Sequence, residues 1–355
     1  MGNDRKPLSG IKPRQRFPDP IKSKVPIYDV RLHGMSLHCL GSNGKLQLGQ
    51  DHDDDVHAAT RVTAFDAIDS TEGLLPTCYA GGGNHSCFII HERLYILGHL
   101  ESAKTNGSIF PVDGRWKLLA ATWEAVIAAT VDDEVYALGR GLKGELGHPE
   151  TVLHIPTRVN VPRKPIQHLA ASVGHVVVVY VDGSVYGWGA GRKGQLGTPA
   201  EKVVKPRRLD VDRVSLAGCG HEYTFFITHA GECRVLGGDK HNLQRQCPRT
   251  LPSWKQVACS WGGIHVLMQD LCLISWGRND HNQLAPDNLP PVFSIASGSE
   301  HTVALGLDSQ VYAWGWGEHG NLGGSLSHPH TIELGSDKQA KWIGAGCATT
   351  FIYVC

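Results

Sequence analysis

No stretch of this 355-residue chain runs to about 18 apolar residues, so no helical membrane span is expected. The opening segment, MGNDRKPLSGIKPRQRF, lacks the apolar centre of a secretory leader. Lys6 stands where a myristoylation signal carries Ser or Thr. Net charge is absent, with 34 Lys and Arg against 34 Asp and Glu. Bulk charge alone will therefore not hold the chain on nucleic acid or an anionic membrane. The ten cysteines include no CxxC pair, which excludes zinc-finger spacing. They lie mostly in apolar runs (Cys39, Cys87, Cys233, Cys272, Cys355) and read as reduced thiols of a cytoplasmic protein, with the nucleus also open to it. GxSxG, HExxH and GxxxxGK(S/T) are all missing. No nucleophile, base and orienter fall at a telling spacing, so the expectation is a non-enzyme with no cofactor and no metal.

Glycine is plentiful, at 42 residues, which disfavours a helical bundle because glycine weakens helix interiors. The chain is 41% apolar, enough to build a core. It is also repetitive. Val135-Tyr136-Ala137-Leu138-Gly139 aligns with Val185-Tyr186-Gly187-Trp188-Gly189 and Val311-Tyr312-Ala313-Trp314-Gly315. Weaker copies close on Gly41, Gly98, Gly237 and Gly277, making seven. About ten residues before each lies a second element, best seen as Gly298-Ser299-Glu300-His301-Thr302. Its fourth position holds His85, Ala125, His175, Tyr223, His265, His301 and Thr349. Each unit reads as two short strands joined by a tight turn such as Asp182-Gly183. Strands repeating every 40 to 50 residues or so indicate propeller blades.

The ends suit a closed ring. Phe351 to Cys355 is a first strand with no second after it, and Ser36 to Gly41 is a second strand with none before it. Paired, they complete one blade and remove the open edge. The expected fold is all-β: a single seven-bladed β-propeller over 35–355, closed by its own terminal strands. Residues 1–34 stand apart, with eight Lys or Arg against three Asp and five prolines. They read as a basic, Pro-containing extension, a solvating arm or a contact for RNA, chromatin or an import receptor.

The run from Gly139 to Gly147, and its copies at 189–197 and 315–323, combined with G-x-x-H-T, resembles the RCC1-like seven-bladed propeller superfamily over about 36–355. Within it, Leu40 to Gly49 followed by His52-Asp53-Asp54-Asp55-Val56 is most similar to the fungal α-tubulin-suppressor, killer-toxin-insensitivity type. That resemblance implies a protein-binding scaffold. It would form a heterodimer with the small CSL-type zinc- or iron-binding protein of diphthamide synthesis. It would support Elongator-dependent modification of tRNA wobble uridines and diphthamide formation on elongation factor 2. The founding member implies another class, guanine-nucleotide exchange on a Ran-like GTPase, which needs an inserted wedge. The longest interval, Gly41 to Gly98, holds residues 66–76, which offer no clear hairpin. A chromatin or nucleosome adaptor working through the basic extension is the third reading.

Three GxGxxG segments begin at Gly139, Gly189 and Gly315, but the residues after them start no helix, so they read as structural turns. A metal ring of His85, His175, His265 and His301 is disfavoured, because Ala125, Tyr223 and Thr349 occupy equivalent positions. Each histidine is expected instead to tie its own blade together. Asp51 to Asp55 lacks the calcium-loop register and reads as a solvated loop or an acidic docking patch. The G-x-x-H loops and the Trp-Gly loops should share one face. There Trp123, Trp261 and Trp316 stand where the repeat requires no aromatic, so they are candidate partner anchors or inter-blade packing. Glu124, Glu222 and Glu300 recur beside them and could make the face acidic near the axis. The candidate partner-binding residues are Trp123, Glu124, Trp261, Glu300 and Trp316.

Overall fold

A computed structural model describes residues 35–68, 73–100, 103–104, 109–324 and 329–355. The basic extension 1–34 lies outside the described residues. Among the described residues, helix is limited to one turn at Leu243–Gln246 and a 3-10 turn at Ala64–Ala67. The rest of the regular structure is strand, arranged as the seven antiparallel sheets of a propeller.

The two strands legible in each repeat are the middle pair of a blade. In blade 3 they are His175–Tyr180 and Val185–Gly189. The first of the pair is buried along its whole length in blades 1, 3, 6 and 7. It lies between neighbouring sheets, which is why it reads as an unbroken apolar run rather than an alternation. The second ends on the repeat glycine. Trp188 and Trp314 precede that glycine, are fully buried, and donate their indole N–H to Glu145 O (2.7 Å) and Gln283 O (3.0 Å) in the preceding blade's loop.

Blades 2 and 3 carry two further strands. The inner one, Trp116–Ala121 or Ile166–Ser172, ends in small residues such as Ala120-Ala121 and Ala170-Ala171, which suit the crowding at the axis. Its register slips at the second residue, a β-bulge repeated in blades 2 to 7. The outer strand, Val152–Arg158 or Val203–Arg208, carries Pro156 or Pro206 and ends in arginine. Proline and charge are characteristic of a sheet edge. Blades 4 and 5 have three strands among the described residues.

The seventh blade closes the ring as expected. Ser36–Gly41 pairs antiparallel with Thr349–Val354 in six consecutive steps, from Ser36 opposite Val354 to Gly41 opposite Thr349. Val56–Arg61 and Ala340–Ala345 flank them. Blade 1 departs from the repeat. Its third strand, Arg93–Leu100, runs on past the repeat glycine and folds back on Ala103–Lys104 as a short extra ladder.

The repeat glycine has one job, visible at Gly315. Its φ is +104°, and a Cβ there would lie 2.5 Å from Glu300 O. That carbonyl accepts the N–H of Trp316 at 2.9 Å. Gly315→Ala therefore meets both strain and collision, and should cost at least the roughly 1–3 kcal/mol of a forced backbone. At Gly197, φ is +76° but nothing lies within 4 Å of a Cβ. Urea titration should show a clearly smaller loss for Gly197→Ala than for Gly315→Ala; equal losses would refute the collision.

Candidate functional site

Each blade joins its G-x-x-H loop to its Trp-Gly loop through one backbone bond. The donors are Ser42, His99, Arg140, Ala190, Gly238, Arg278 and Trp316, and each bond is 2.6–2.9 Å long. The bond places both loop sets at one face in all seven blades. The three GxGxxG segments lie in these loops as successive turns, with Gly147 N–H on Gly144 O and Gly197 N–H on Gly194 O.

A second backbone circuit runs around the axis. In five blades the second residue of the G-x-x-H loop donates its N–H to the carbonyl of its counterpart in the next blade. Gly83 donates to Trp123, Trp123 to Val173, His221 to Trp261, Trp261 to Ser299 and Ser299 to Cys347, at 2.9–3.1 Å. These are five of the seven steps. Trp123 and Trp261 are members of this belt, so their side chains spring from fixed backbone at the axis. The rings, from blades 2 and 5, approach to 5.9 Å at 45°. Trp316, from blade 6, stacks on His281 at 4.4 Å and 6°. All three border one cavity of about 230 Å³, together with Glu300, Glu318 and His319. Trp123 is 40% exposed and Trp316 38%. The three sequence-selected tryptophans therefore converge, although they lie up to 193 positions apart in the chain.

The two selected glutamates are placed differently. Glu300 lines the cavity, but its carboxylate accepts from the Arg278 guanidinium and from Gln283 Nε2 (3.1 Å). Arg278 also holds Asp280, whose carboxyl this contact keeps below the usual range. Glu124 is partly exposed, faces Arg140 at 3.7 Å, and does not line the cavity. Glu222 borders a cleft with four cations. The acidic surround expected near the axis is thus largely compensated by arginine and lysine.

The repeated histidines are buried, at 0–1% exposure. They tie blades to one another, not each to itself. His265 is not at the fourth repeat position: Gly263 stands opposite the repeat glycine Gly277, and His265 lies two residues further along the strand, on the same face. Nε2 of His175 meets Thr224 Oγ1 at 3.0 Å, His265 meets Thr302 at 3.3 Å, and His301 meets Thr350 at 3.0 Å. Each threonine belongs to the next blade. Thr224 and Thr350 in turn donate their hydroxyl hydrogen bonds to Gln195 O (2.7 Å) and Asn321 O (2.8 Å). His85 faces a blade with Val126 at the threonine position and lacks this link. Burial pushes all four imidazoles down to about 4, so they are neutral at pH 7. Among the described residues, no group of three or more His, Cys, Asp or Glu is placed to hold a metal ion.

The channel mouth below the tryptophans is small, about 90 Å³, and lined by Gly81, Ala121, Ser172, Cys219, Cys259 and Cys347. In the acidic loop, Asp55 accepts Asn43 N–H (2.9 Å) and lies 2.8 Å from His319 Nδ1, while Asp51, Asp53 and Asp54 are exposed.

Comparisons with known proteins agree with the geometry. The model of the regulator of chromosome condensation (RCC1) repeat matches residues 132–179 and 182–227, and a second RCC1 repeat model matches 294–321. An RCC1 repeat-containing protein of Schizosaccharomyces pombe is 27% identical over 90% of this chain and 98% of its own length. A secretion-regulating guanine nucleotide exchange factor of Bos taurus is 24% identical over 81% of this chain and 75% of its own. The crystal structure of Prp20p from Saccharomyces cerevisiae superposes with a TM-score of 0.78 at 19% identity, covering 90% of this chain and 91% of that one.

Proposed function

This chain is an RCC1-like seven-bladed propeller carrying RCC1 repeats, and from that premise we propose that it is a non-catalytic scaffold whose loop face seats a small partner protein. The carrying observation is the convergence of Trp123, Trp261 and Trp316 on one open cavity over a belt of backbone hydrogen bonds. Rigid aromatic anchors around a concavity are the usual centre of a protein interface. The likeness of Leu40 to Val56 to the killer-toxin-insensitivity type supports a partner of the small CSL zinc- or iron-binding class. Its work would then be tRNA wobble-uridine modification with Elongator, and diphthamide synthesis, in the cytoplasm.

The test is titration calorimetry of the full chain with the zinc-bound CSL protein. One-to-one binding is expected, weakened about 100-fold by Trp123→Ala/Trp261→Ala/Trp316→Ala, with the far-UV spectrum unchanged. Unchanged affinity in a folded triple variant overturns the contact assignment.

Exchange activity on a Ran-like GTPase is the second reading. The relative named as an exchange factor favours it. Release of a fluorescent nucleotide from Ran on adding the chain would establish it, and no acceleration would remove it.

A further inference from the structure

The loops of blades 2 and 3 carry cations that the tryptophan cavity does not use. Lys143, Arg192, Lys193 and Lys202 border a cleft of about 410 Å³ on the same face. All four are exposed, and among the described residues none forms an ion pair, although the neighbouring Arg140, Arg158 and Arg207 do. Lys202 Nζ donates to Leu142 O at 3.0 Å, which ties the outer part of blade 3 to the blade 2 loop and fixes one wall. Glu222 is the single carboxylate in the lining, so the cleft keeps three net positive charges. Leu142, 54% exposed, adds an apolar wall beside them.

The opposite part of the face leans to the other sign. Blades 5 to 7 present the exposed Asp51, Asp53, Asp54 and Glu318 against the exposed Lys45, with Asp280 paired to Arg278. Two zones of opposite charge flank the tryptophans, with His221 of the basic cleft packed on Trp261 at 5.6 Å.

We propose that this cleft binds a short acidic peptide segment of a partner protein, carboxylates against the four cations and an apolar side chain against Leu142. A nucleic-acid strand fits worse for two reasons. Single strands are held along a basic track by aromatic stacking, and the ring the cleft offers, His221, is already packed on Trp261. A strand leaving the cleft across the face would also meet the acidic zone. A peptide with a few acidic residues ends before that. The proposal does not depend on which protein fills the tryptophan cavity.

The probes are a fluorescein-labelled octapeptide of Glu and Asp with one central Leu, its Gln/Ser counterpart, and a labelled oligouridylate of equal charge. Each is titrated into the full chain by anisotropy at low and high salt. The acidic peptide should bind, the neutral one should not, and raising salt several-fold should weaken binding about tenfold or more. Lys143→Glu/Lys193→Glu should abolish binding. Lys255→Glu/Lys341→Glu, on exposed sites outside the cleft, should leave it within about twofold. Leu142→Ser should weaken the Leu-bearing peptide but not an all-acidic one. The proposal is overturned if the oligouridylate binds more tightly through the same lysines. It is equally overturned if the acidic peptide does not bind, or if the control reversal weakens it as much as the cleft reversal.

Discussion

Alanine at Phe351 should remove about 3–5 kcal/mol of stability, the cost of truncating a fully buried aromatic that cannot be repacked. The position combines two structural duties. Phe351 lies on the C-terminal strand opposite Cys39, in the pairing that shuts the ring. Its side chain, 0% exposed, crosses to the next blade and meets Phe88 edge-on at 4.9 Å and Tyr79 at 5.2 Å. Tyr79 in turn reaches back to Thr349 Oγ1 at 2.9 Å. Deleting the ring therefore opens a cavity where blade 7 meets blade 1, next to the closure itself. A urea titration followed by tryptophan fluorescence measures the loss. A loss below about 1 kcal/mol would mean that the neighbours collapse into the space and that closure does not lean on this contact.

Acid should unfold the protein steeply between pH 6.5 and about 4, earlier than its carboxylates alone would require. The cause is the set of buried neutral histidines. His85, His175, His265 and His301 sit near 4 in the folded state, against about 6.5 once exposed. Below pH 6.5 the unfolded chain takes up protons that the folded chain refuses, so stability falls as pH falls. The loss stops growing near pH 4, where the folded groups titrate too. Each histidine contributes up to about 1.4 kcal/mol per pH unit in that window. Four acting together bring the loss to several kcal/mol per unit, against a total stability of about 5–15 kcal/mol. Above pH 6.5 these groups leave stability flat. The check is the slope of Tm against pH from 6.5 to 4.5, in the parent and in His175→Asn. Whatever Tm the variant starts from, its slope should be shallower by one proton. Parallel slopes would show that the histidines are not the acid-sensitive groups.

The sequence carries this fold most clearly where burial is two-sided. Strands such as His175–Tyr180 read as apolar runs because a sheet covers each face, and Val185–Gly189 is marked by its tryptophan and its glycine. The inner strands hide because small residues and a bulge at the second position break the period of two, as Trp116 to Leu118 shows. The outer strands hide because Pro156, Pro206 and arginine give the edge a loop-like composition. The histidine partners hide for a different reason. His175 bonds Thr224, 49 positions away, so no local pattern connects them, although a threonine following the fourth position of the next copy was visible. At the site, the tryptophans were legible as aromatics that the repeat did not require. The charge balance was not, because Glu300 is answered by Arg278 from another blade, and the basic cleft collects Lys143 and Lys193 from separate loops.

The closing strand pair also sets an order of events during synthesis. Ser36–Gly41 is made first among the blade strands, and its partner Thr349–Val354 is made last. At about 5–20 residues per second, the early strand waits roughly 15–60 s, paired with Val56–Arg61 on its outer side and open on its inner edge. Six blades can form on the ribosome while the seventh exists only as its outer half. The half-finished molecule therefore offers a sticky β-edge for most of its birth, and a newly made chain should depend on chaperones more than the finished ring does.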